Sequence, residues 1–253
     1  DDIFEKMFRE NYRRTGIGNE FVITAKGRPC GAANIVVDAS GQNRIIVDPG
    51  ANRGLTPAHV RRFFPRLRDS AALVIQLEDS LKVVAASLRL FNGRIRILNP
   101  APYVDGCKKL LRDCDVVVPN ETEAAALVGF PVDSSASVRR AAEKLYALGP
   151  RDVLITLGGR GAHHYDGARH VSYPPFKVRA VDPTGAGDCF IGAFTHAFLR
   201  TSDYSIAVPF ACAAAALSVT KTGTQVSFPA LREILLLARR SRPELAARVS
   251  GAL

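Results

Sequence analysis

The spacing of apolar and polar positions changes along the chain, and these changes predict the order of the structural elements. Residues 2–14 carry apolar side chains interleaved with charged ones, which is typical of an amphipathic helix. Three short strand-like segments follow, at Phe21–Ala25, Ala33–Val37 and Arg44–Val47. Turn-forming residues at 27–29 and 39–43 separate them, so we expect an antiparallel β-ribbon, a small lid within residues 20–48.

The pattern becomes an alternation of strands and helices after Thr56-Pro57, a pair that is typical of a helix start. Predicted buried strands lie at Ala71–Gln76, Arg94–Leu98, Asp115–Val118 and Val153–Leu157, with further strand-like residues at 162–181. Predicted helices lie at 79–91, 103–112, 121–128, 137–148, 186–200, 203–220 and 229–240. This order predicts one doubly wound α/β domain over residues 1–253, with a mainly parallel sheet flanked by helices.

Composition narrows the class of protein. The longest apolar stretch, Val208–Val219, is shorter than the roughly 20 residues of a membrane span, and residues 1–6 lack the features of a signal peptide. The five cysteines form no CxxC pair, so we expect a reducing compartment and a soluble, cytoplasmic protein. The net charge of +10 is spread along the chain without a nucleic-acid-binding motif, so we expect neither a nucleic-acid nor a membrane partner. His163 and His164 are adjacent in a strand-like segment, which directs them to opposite faces rather than to one metal ion.

The segment Val181–Phe190 combines a small-residue turn with the start of an apolar helix. Gly185, Ala186 and Gly187 allow backbone N–H groups to approach a ligand, and at a helix N-terminus such groups attract an anion. Asp188 follows in the first turn, where a base for phosphoryl transfer would be needed. From the residues alone, a glycine-rich turn with a helix-favouring aspartate explains the segment equally well.

The sequence Asp-x-Thr-Gly-Ala-Gly-Asp at 182–188 resembles the signature of the ribokinase (phosphofructokinase-B) family of carbohydrate kinases. Other segments in the family's order are Pro49–Asn52, Gln76–Glu78, Asn99–Pro102, Pro119–Glu123, Leu154–Gly161 and Ser218–Pro229. The resemblance runs from about Asp1 to about Leu236, and no Walker A sequence occurs. It implies an ATP-dependent kinase that converts D-ribose to ribose 5-phosphate. Asp188 would be the general base, and the amides of Gly185, Ala186 and Gly187 would hold the transferred phosphoryl group.

The resemblance also implies a nucleotide site and a Mg²⁺ site. The matching nucleotide-binding positions are Asn120, Thr156, Leu157, Gly158, Gly159, Arg160, Gly161, Gly187 and Cys212. Asn120 and Glu123 match a motif associated with magnesium and phosphate. The same pair is typical of a helix capping box, and both roles are compatible.

For the sugar, the resemblance implies Glu78, Asn52 and Asp188, and it implies a homodimer through the β lid. A K⁺ site would be formed by Asp182, Thr184, Ser218, Lys221, Gly223 and Ser227. The family's early strand with a sugar-binding Asp, and its Gly-Gly-Lys-Gly-Ala-Asn-type motif, are not found in the printed sequence. We therefore expect this chain to bind adenine nucleotide more readily than it phosphorylates ribose. The alternatives are a non-catalytic nucleotide-binding relative or inactive fragment, and a kinase for another sugar or nucleoside.

Overall fold

The computed structural model describes residues 2–37, 43–67 and 69–252, which fall into two compact units. The first unit comprises Asp1–Arg68 and Glu78–Leu90, and the second comprises Asp69–Leu77 and Phe91–Leu253. The single domain expected over residues 1–253 stays a prediction.

The first unit contains three helices and a two-stranded ribbon among its described residues. They are α1 (Ile3–Thr15), β1 (Ala32–Val37), β2 (Asn43–Asp48), α2 (Pro57–Leu67) and α3 (Leu81–Leu90), with a 3₁₀ helix at Gly50–Gly54. The side chain of Asp2 accepts a hydrogen bond from the Glu5 N–H at the start of α1, and Gly16 ends the helix with a φ of 72°. β1 and β2 pair antiparallel, as predicted for the ribbon. The turn predicted at 39–43 lies, apart from Asn43, outside the described residues.

The strand predicted at Phe21–Ala25 is wrong, because these residues have no regular secondary structure. Phe21 instead packs edge-on against Phe63 of α2, with ring centroids 5.7 Å apart. Thr24 accepts a hydrogen bond from Arg9 of α1 at 3.0 Å. Side-chain contacts with two helices therefore fix this segment, and a β-propensity alone does not supply a neighbouring strand.

The second unit is built on a six-stranded sheet in the order β3-β4-β5-β6-β7-β8. Its strands are β3 (Ala72–Ile75), β4 (Ile95–Leu98), β5 (Val116–Val117), β6 (Asp152–Thr156), β7 (Ala162–Tyr165) and β8 (His170–Tyr173). The pairs from β3 to β6 are parallel, and the pairs from β6 to β8 are antiparallel. The predicted mainly parallel sheet is confirmed.

Helices surround this sheet in the described part of the second unit. They are α4 (Glu121–Val128), α5 (Ser135–Tyr146), α6 (Ala186–Thr201), α7 (Tyr204–Ser218), α8 (Leu231–Ser241) and α9 (Pro243–Ala252), with 3₁₀ helices at Cys107–Asp113, Gly158–Arg160 and Gln225–Ser227. The helix predicted at 103–112 is thus a 3₁₀ helix, in which Cys107 and Leu110 are buried three residues apart, as its three-residue repeat requires. No described helix combines the length and apolar character needed to cross a bilayer.

The core of the second unit lies between the sheet and the helices α6 and α7. Ile97, Leu154 and Phe194 have no solvent-exposed surface, as is usual for parallel strands covered by helices. Ala207, Ala211 and other small residues of α7 are also fully buried, so α6 and α7 pack closely. This close packing fixes the start of α6, on which the candidate site depends.

The two adjacent histidines on β7 contact different groups, as the alternation of a strand predicts. The His163 ring lies 2.9 Å from the Ser172 hydroxyl and 3.0 Å from the His170 ring nitrogen. His164 lies 2.7 Å from the Asp152 carboxylate and stacks on Tyr204 with a centroid distance of 4.0 Å. Both side chains therefore belong to packed polar contacts beside the core.

Candidate active site

The turn before α6 presents uncapped backbone donors. Gly185 occupies the N-cap position with a φ of 78°, a left-handed conformation that favours glycine, and no side chain caps the helix. A Cβ atom on Gly187 would meet no atom within 4 Å, so the first turn of α6 is open on this side. The Ala186 N–H donates to the Pro183 carbonyl at 3.1 Å, whereas the N–H groups of Gly185 and Gly187 make no hydrogen bond within the described residues. Such open N–H groups at the positive end of a 16-residue helix are suited to bind a phosphate-like anion.

Asp188 lies in this first turn, and its exposed carboxylate is held by an amide from the sheet. Gln76 Nε2 donates to Asp188 Oδ1 at 2.9 Å and to Asn99 Oδ1 at 2.9 Å. Asn99 Nδ2 in turn donates to the Val118 carbonyl at 2.7 Å. Gln76, Asn99 and Val118 follow the carboxyl ends of β3, β4 and β5, which is where open α/β sheets bind ligands. Asp188 is thus tied to the end of the sheet by a chain of side-chain amides.

A cavity of about 810 Å³ lies beside the start of α6 and has the size of a small-molecule site. Seven of the predicted nucleotide-binding residues line it: Asn120, Thr156, Gly158, Gly159, Gly161, Gly187 and Cys212. Asn120 and Thr156 are brought together by a parallel β-bridge, and the Thr156 N–H donates to the Pro119 carbonyl at 3.0 Å. The fold therefore joins motifs that are far apart in the sequence at one cavity.

The two other predicted nucleotide-binding residues do not line this cavity. Leu157 is buried, with 8% of its surface exposed. The guanidinium of Arg160 donates to the Asp133 carbonyl at 3.0 Å and to Glu121 Oε1 at 2.6 Å. Arg160 therefore supports the loop from outside the cavity.

Two glycines of this loop have positive φ angles, 50° at Gly158 and 93° at Gly161. A Cβ on Gly161 would overlap the Tyr173 carbonyl and lie 2.9 Å from the Pro175 nitrogen. Glycine is therefore required at 161 both for the backbone conformation and for the close approach of residues 173–175.

Asn120 and Glu123 form the capping box that the sequence offered as one alternative. The Glu123 N–H donates to Asn120 Oδ1 at 2.8 Å, and the Asn120 N–H donates to Glu123 Oε2 at 2.9 Å. Burial raises the pKa of Glu123, and the hydrogen bond from Asn120 opposes this effect. The cap engages Oε2, and Glu123 itself does not line the cavity, although its neighbours Glu121 and Thr122 do, so its magnesium role stays a prediction.

Asp182 joins the two loops that the sequence predicts to hold K⁺. Its Oδ1 accepts from the Thr184 N–H at 2.9 Å, and its Oδ2 accepts from the Gly223 N–H at 2.9 Å. Hydrogen bonds from the Thr184 side chain, and then from the Gly223 and Thr184 backbones, lower the pKa of Asp182. This carboxylate is therefore ionised at neutral pH and fits the charge of a monovalent cation.

The remaining predicted K⁺ ligands lie on the second of these loops or beside it. Lys221 directs its ammonium to Glu233 Oε1 at 3.2 Å, so at most its carbonyl faces a cation. Ser218 and Ser227 are buried, and their hydroxyls donate to the Ala215 and Thr224 carbonyls. Each hydroxyl oxygen retains a lone pair that could coordinate a cation.

The predicted sugar-binding residues are divided between the two units. Asn52 lies in the 3₁₀ helix Gly50–Gly54, and Glu78 is an exposed residue, both in the first unit. Asp188 lies in the second unit. The sugar-binding roles of Asn52 and Glu78 stay predictions.

The structure adds residues that the sequence did not single out as functional. Gln76 holds Asp188, and Phe176 and Lys177 line the nucleotide-sized cavity. Gln76 is the last residue of the predicted strand Ala71–Gln76, and that position at a strand end is a signal that could have identified it. Phe176 and Lys177 follow two prolines in an irregular segment, for which no sequence pattern predicts a position.

The thiols near this cavity are not ionised. Burial raises the pKa of Cys212 to about 12 and that of Cys189 to about 11. A neutral thiol is a weak nucleophile, so both cysteines contribute packing rather than covalent chemistry.

An uncapped helix start with an adjacent carboxylate, beside a nucleotide-sized cavity on a mainly parallel sheet, defines an α/β phosphotransferase-type site. Residues 1–231 match the pfkB family of carbohydrate kinases. The chain belongs to this family and is a sugar kinase by fold and sequence.

Relatives of known type are similar along most of their length. The chain is 36% identical to a deoxyribokinase of Salmonella typhi over 241 residues, which cover 92% of this chain and 77% of that protein. It is also 36% identical to a ribokinase of Haemophilus influenzae over 236 residues, with the same two coverages.

Solved structures of proteins with similar sequences have the same fold. A ribokinase of Thermotoga maritima superposes with a TM-score of 0.86 at 36% identity, over 94% of this chain and 78% of that one. An Arabidopsis thaliana ribokinase, solved with ribose and ATP, superposes with a TM-score of 0.84 at 28% identity over the same shares. The fold class predicted from the sequence is confirmed.

Proposed function

We propose that this protein transfers the γ-phosphoryl group of ATP to the 5-hydroxyl of D-ribose, with Asp188 as the general base. The observation that carries the proposal is the geometry of α6, which presents an oriented carboxylate and open N–H groups within one turn, next to the cavity. The ATP and ribose of the Arabidopsis relative support the substrates.

In this mechanism the nucleotide occupies the 810 Å³ cavity, with its triphosphate directed to the start of α6. Asp188 accepts the proton of the sugar hydroxyl as the oxygen attacks the γ-phosphorus. The new O–P bond forms while the bond to the β-phosphate oxygen breaks, and ADP leaves. The N–H groups of Gly185 and Gly187 hold the transferred group and stabilise its charge. The Ala186 N–H, which the sequence also assigned to this role, donates to the Pro183 carbonyl and would have to be shared.

Magnesium, when bound, would neutralise phosphate charge, and Glu123 would hold it through water. Asp182, together with Thr184, Ser218, Lys221, Gly223 and Ser227, would hold K⁺ and so shape the loops beside the phosphoryl site. Asp182 already bridges these loops through the Thr184 and Gly223 N–H groups, which supports this role.

A phosphorylation assay tests the proposal and separates the sugars. ATP is offered with D-ribose, 2-deoxyribose, fructose or adenosine, and ADP release is followed. Ribose is expected to give the highest kcat/KM. A higher value with 2-deoxyribose would assign the protein to the activity named for its Salmonella relative. ATP binding without turnover of any acceptor would favour the non-catalytic alternative.

We also propose that the protein is a cytoplasmic homodimer through the β lid. Ile46 and Val47 of β2 are 64% and 60% exposed, and a dimer contact would cover them. Light scattering of the wild type and of an Ile46→Lys variant tests this assembly. A monomeric wild type would contradict it.

A further inference from the structure

We propose that Arg242, at the junction of α8 and α9, is a positioning residue that sets nucleotide affinity by fixing one wall of the cavity. The inference rests on the proposed role of this cavity as the ATP site. The wall consists of Pro175, Phe176 and Lys177, which line the cavity directly after β8.

This wall has little secondary structure to hold it. Residues 174–180 form neither helix nor strand. Pro174 and Pro175 have no N–H to donate, and their carbonyls need partners from elsewhere. The position of Phe176 therefore depends on side-chain contacts.

Arg242 supplies these contacts from the other side of the wall. Its Nη2 donates to the Pro174 carbonyl at 2.7 Å and to the Pro175 carbonyl at 2.9 Å. Its guanidinium also lies over the Phe176 ring, 4.0 Å from the centroid. A planar guanidinium can donate to two carbonyls while its face stacks on an aromatic ring, a geometry that the compact ammonium of lysine does not reproduce.

The wall is held between Arg242 and the glycine loop. Gly161 lies so close to Tyr173 and Pro175 that even a Cβ atom would not fit between them. Phe176 is only 5% exposed and belongs to the core cluster. Without Arg242, the wall keeps its contact with Gly161 and the core packing of Phe176 but loses two carbonyl hydrogen bonds and the cation–π contact.

The backbone of Arg242 is held by hydrogen bonds to both C-terminal helices. Its N–H donates to the Ala238 carbonyl at the end of α8, and its carbonyl accepts from the Ala246 N–H in α9. Pro243 begins α9 directly afterwards. The two C-terminal helices therefore define where the guanidinium lies.

The test compares Arg242→Met and Arg242→Lys with Arg240→Met as a matched control. Arg240 is an exposed arginine of α8 that makes no hydrogen bond or ion pair with any described residue. Dissociation constants for ATP and ADP are measured by calorimetry, and KM for ATP, KM for ribose and kcat are measured in the kinase assay. Thermal unfolding checks that each variant is folded.

We expect Arg242→Met to raise the dissociation constant and KM for ATP roughly tenfold, as for loss of a charged hydrogen bond, with KM for ribose and kcat unchanged. Arg242→Lys, which keeps the positive charge and N–H donors but not the planar shape, should recover part of the affinity, and it replaces the methionine variant if that variant does not fold. Nucleotide affinity within twofold of the Arg240→Met control in both variants would overturn the inference. If ATP binds but no sugar is phosphorylated, the proposed function fails while the binding data still decide this inference.

Discussion

Replacing Gln76 with methionine tests whether the amide chain at the end of the sheet orients the proposed base. Methionine has nearly the length of glutamine but cannot donate a hydrogen bond. The change removes the 2.9 Å bonds from Nε2 to Asp188 and to Asn99. Asn99 retains its bond to the Val118 carbonyl, so the end of β4 stays in place.

The size of the effect follows from the kind of bond that is lost. A hydrogen bond to a charged group contributes about 1.5–3 kcal/mol. If this free energy serves to keep Asp188 in the reactive orientation, kcat falls about 10- to 100-fold, at 1.36 kcal/mol for each factor of ten. Nucleotide affinity should stay within twofold, because Gln76 does not line the cavity.

The assay measures kcat under saturating ATP and sugar, together with the dissociation constant of ATP by calorimetry. Gln76→Asn serves as a second variant, because its shorter amide cannot bridge Asn99 and Asp188 together. A kcat within threefold of wild type for Gln76→Met would refute the orienting role. Equal losses in kcat and in ATP affinity would show a general disturbance of the fold instead.

Three further predictions address the base, the cation and the buried histidines. Asp188→Asn should lower kcat about 10²–10⁴-fold with ATP affinity retained, since the amide cannot accept the proton; a rate within threefold of wild type would exclude this role. Activity should be higher in K⁺ than in tetramethylammonium at equal ionic strength, because Asp182 joins the two loops, and equal rates would contradict the cation site. Burial, aided by the charges of His170, Arg139 and His164, lowers the pKa of His163 from 6.5 to about 4. Because the folded state binds this proton less readily than the unfolded state, the free energy of unfolding is highest above pH 6.5 and decreases as the pH falls towards 4. The decrease amounts to about 2 kcal/mol between pH 7.5 and 5.0. Urea unfolding at these two pH values should show the loss, and His163→Gln should lose less; an equal loss would exclude His163 as its source.

The fold could be predicted from the sequence wherever the spacing of apolar residues and the capping residues at helix ends indicate the same element. α4 begins at Glu121 after Asn120 and ends before Gly129, which has a φ of 81°, so both ends follow from local chemistry. A strand at Phe21–Ala25 could not be excluded in this way, because the conformation of this segment depends on contacts with Phe63 and Arg9. The helix α9, at Pro243–Ala252, also lies beyond every predicted element, although Pro243 is a suitable first residue.

The candidate site could be predicted where a residue acts through its own motif. Asn120, Thr156 and Gly187 line one cavity as expected. Arg160 is an exception, because its motif predicts a nucleotide contact, whereas in the structure its side chain pairs with Glu121. Contacts across the fold, such as that of Gln76 with a residue 112 positions away, leave no local signal in a single sequence.

The segment from Asp182 to Asp188 connects the proposed cation, anion and proton sites through one short stretch of backbone. Asp182 binds the Gly223 loop at one end, and Asp188 binds Gln76 of the sheet at the other. Gly185 lies between them, and its left-handed conformation turns the chain into α6. A cation at Asp182 would therefore act on phosphoryl transfer by fixing where this turn presents its N–H groups, whereas Gln76 acts on the Asp188 carboxylate and on Asn99. K⁺ and Gln76 should accordingly make separate contributions to kcat, so that the K⁺ activation factor is the same in wild type and in Gln76→Met.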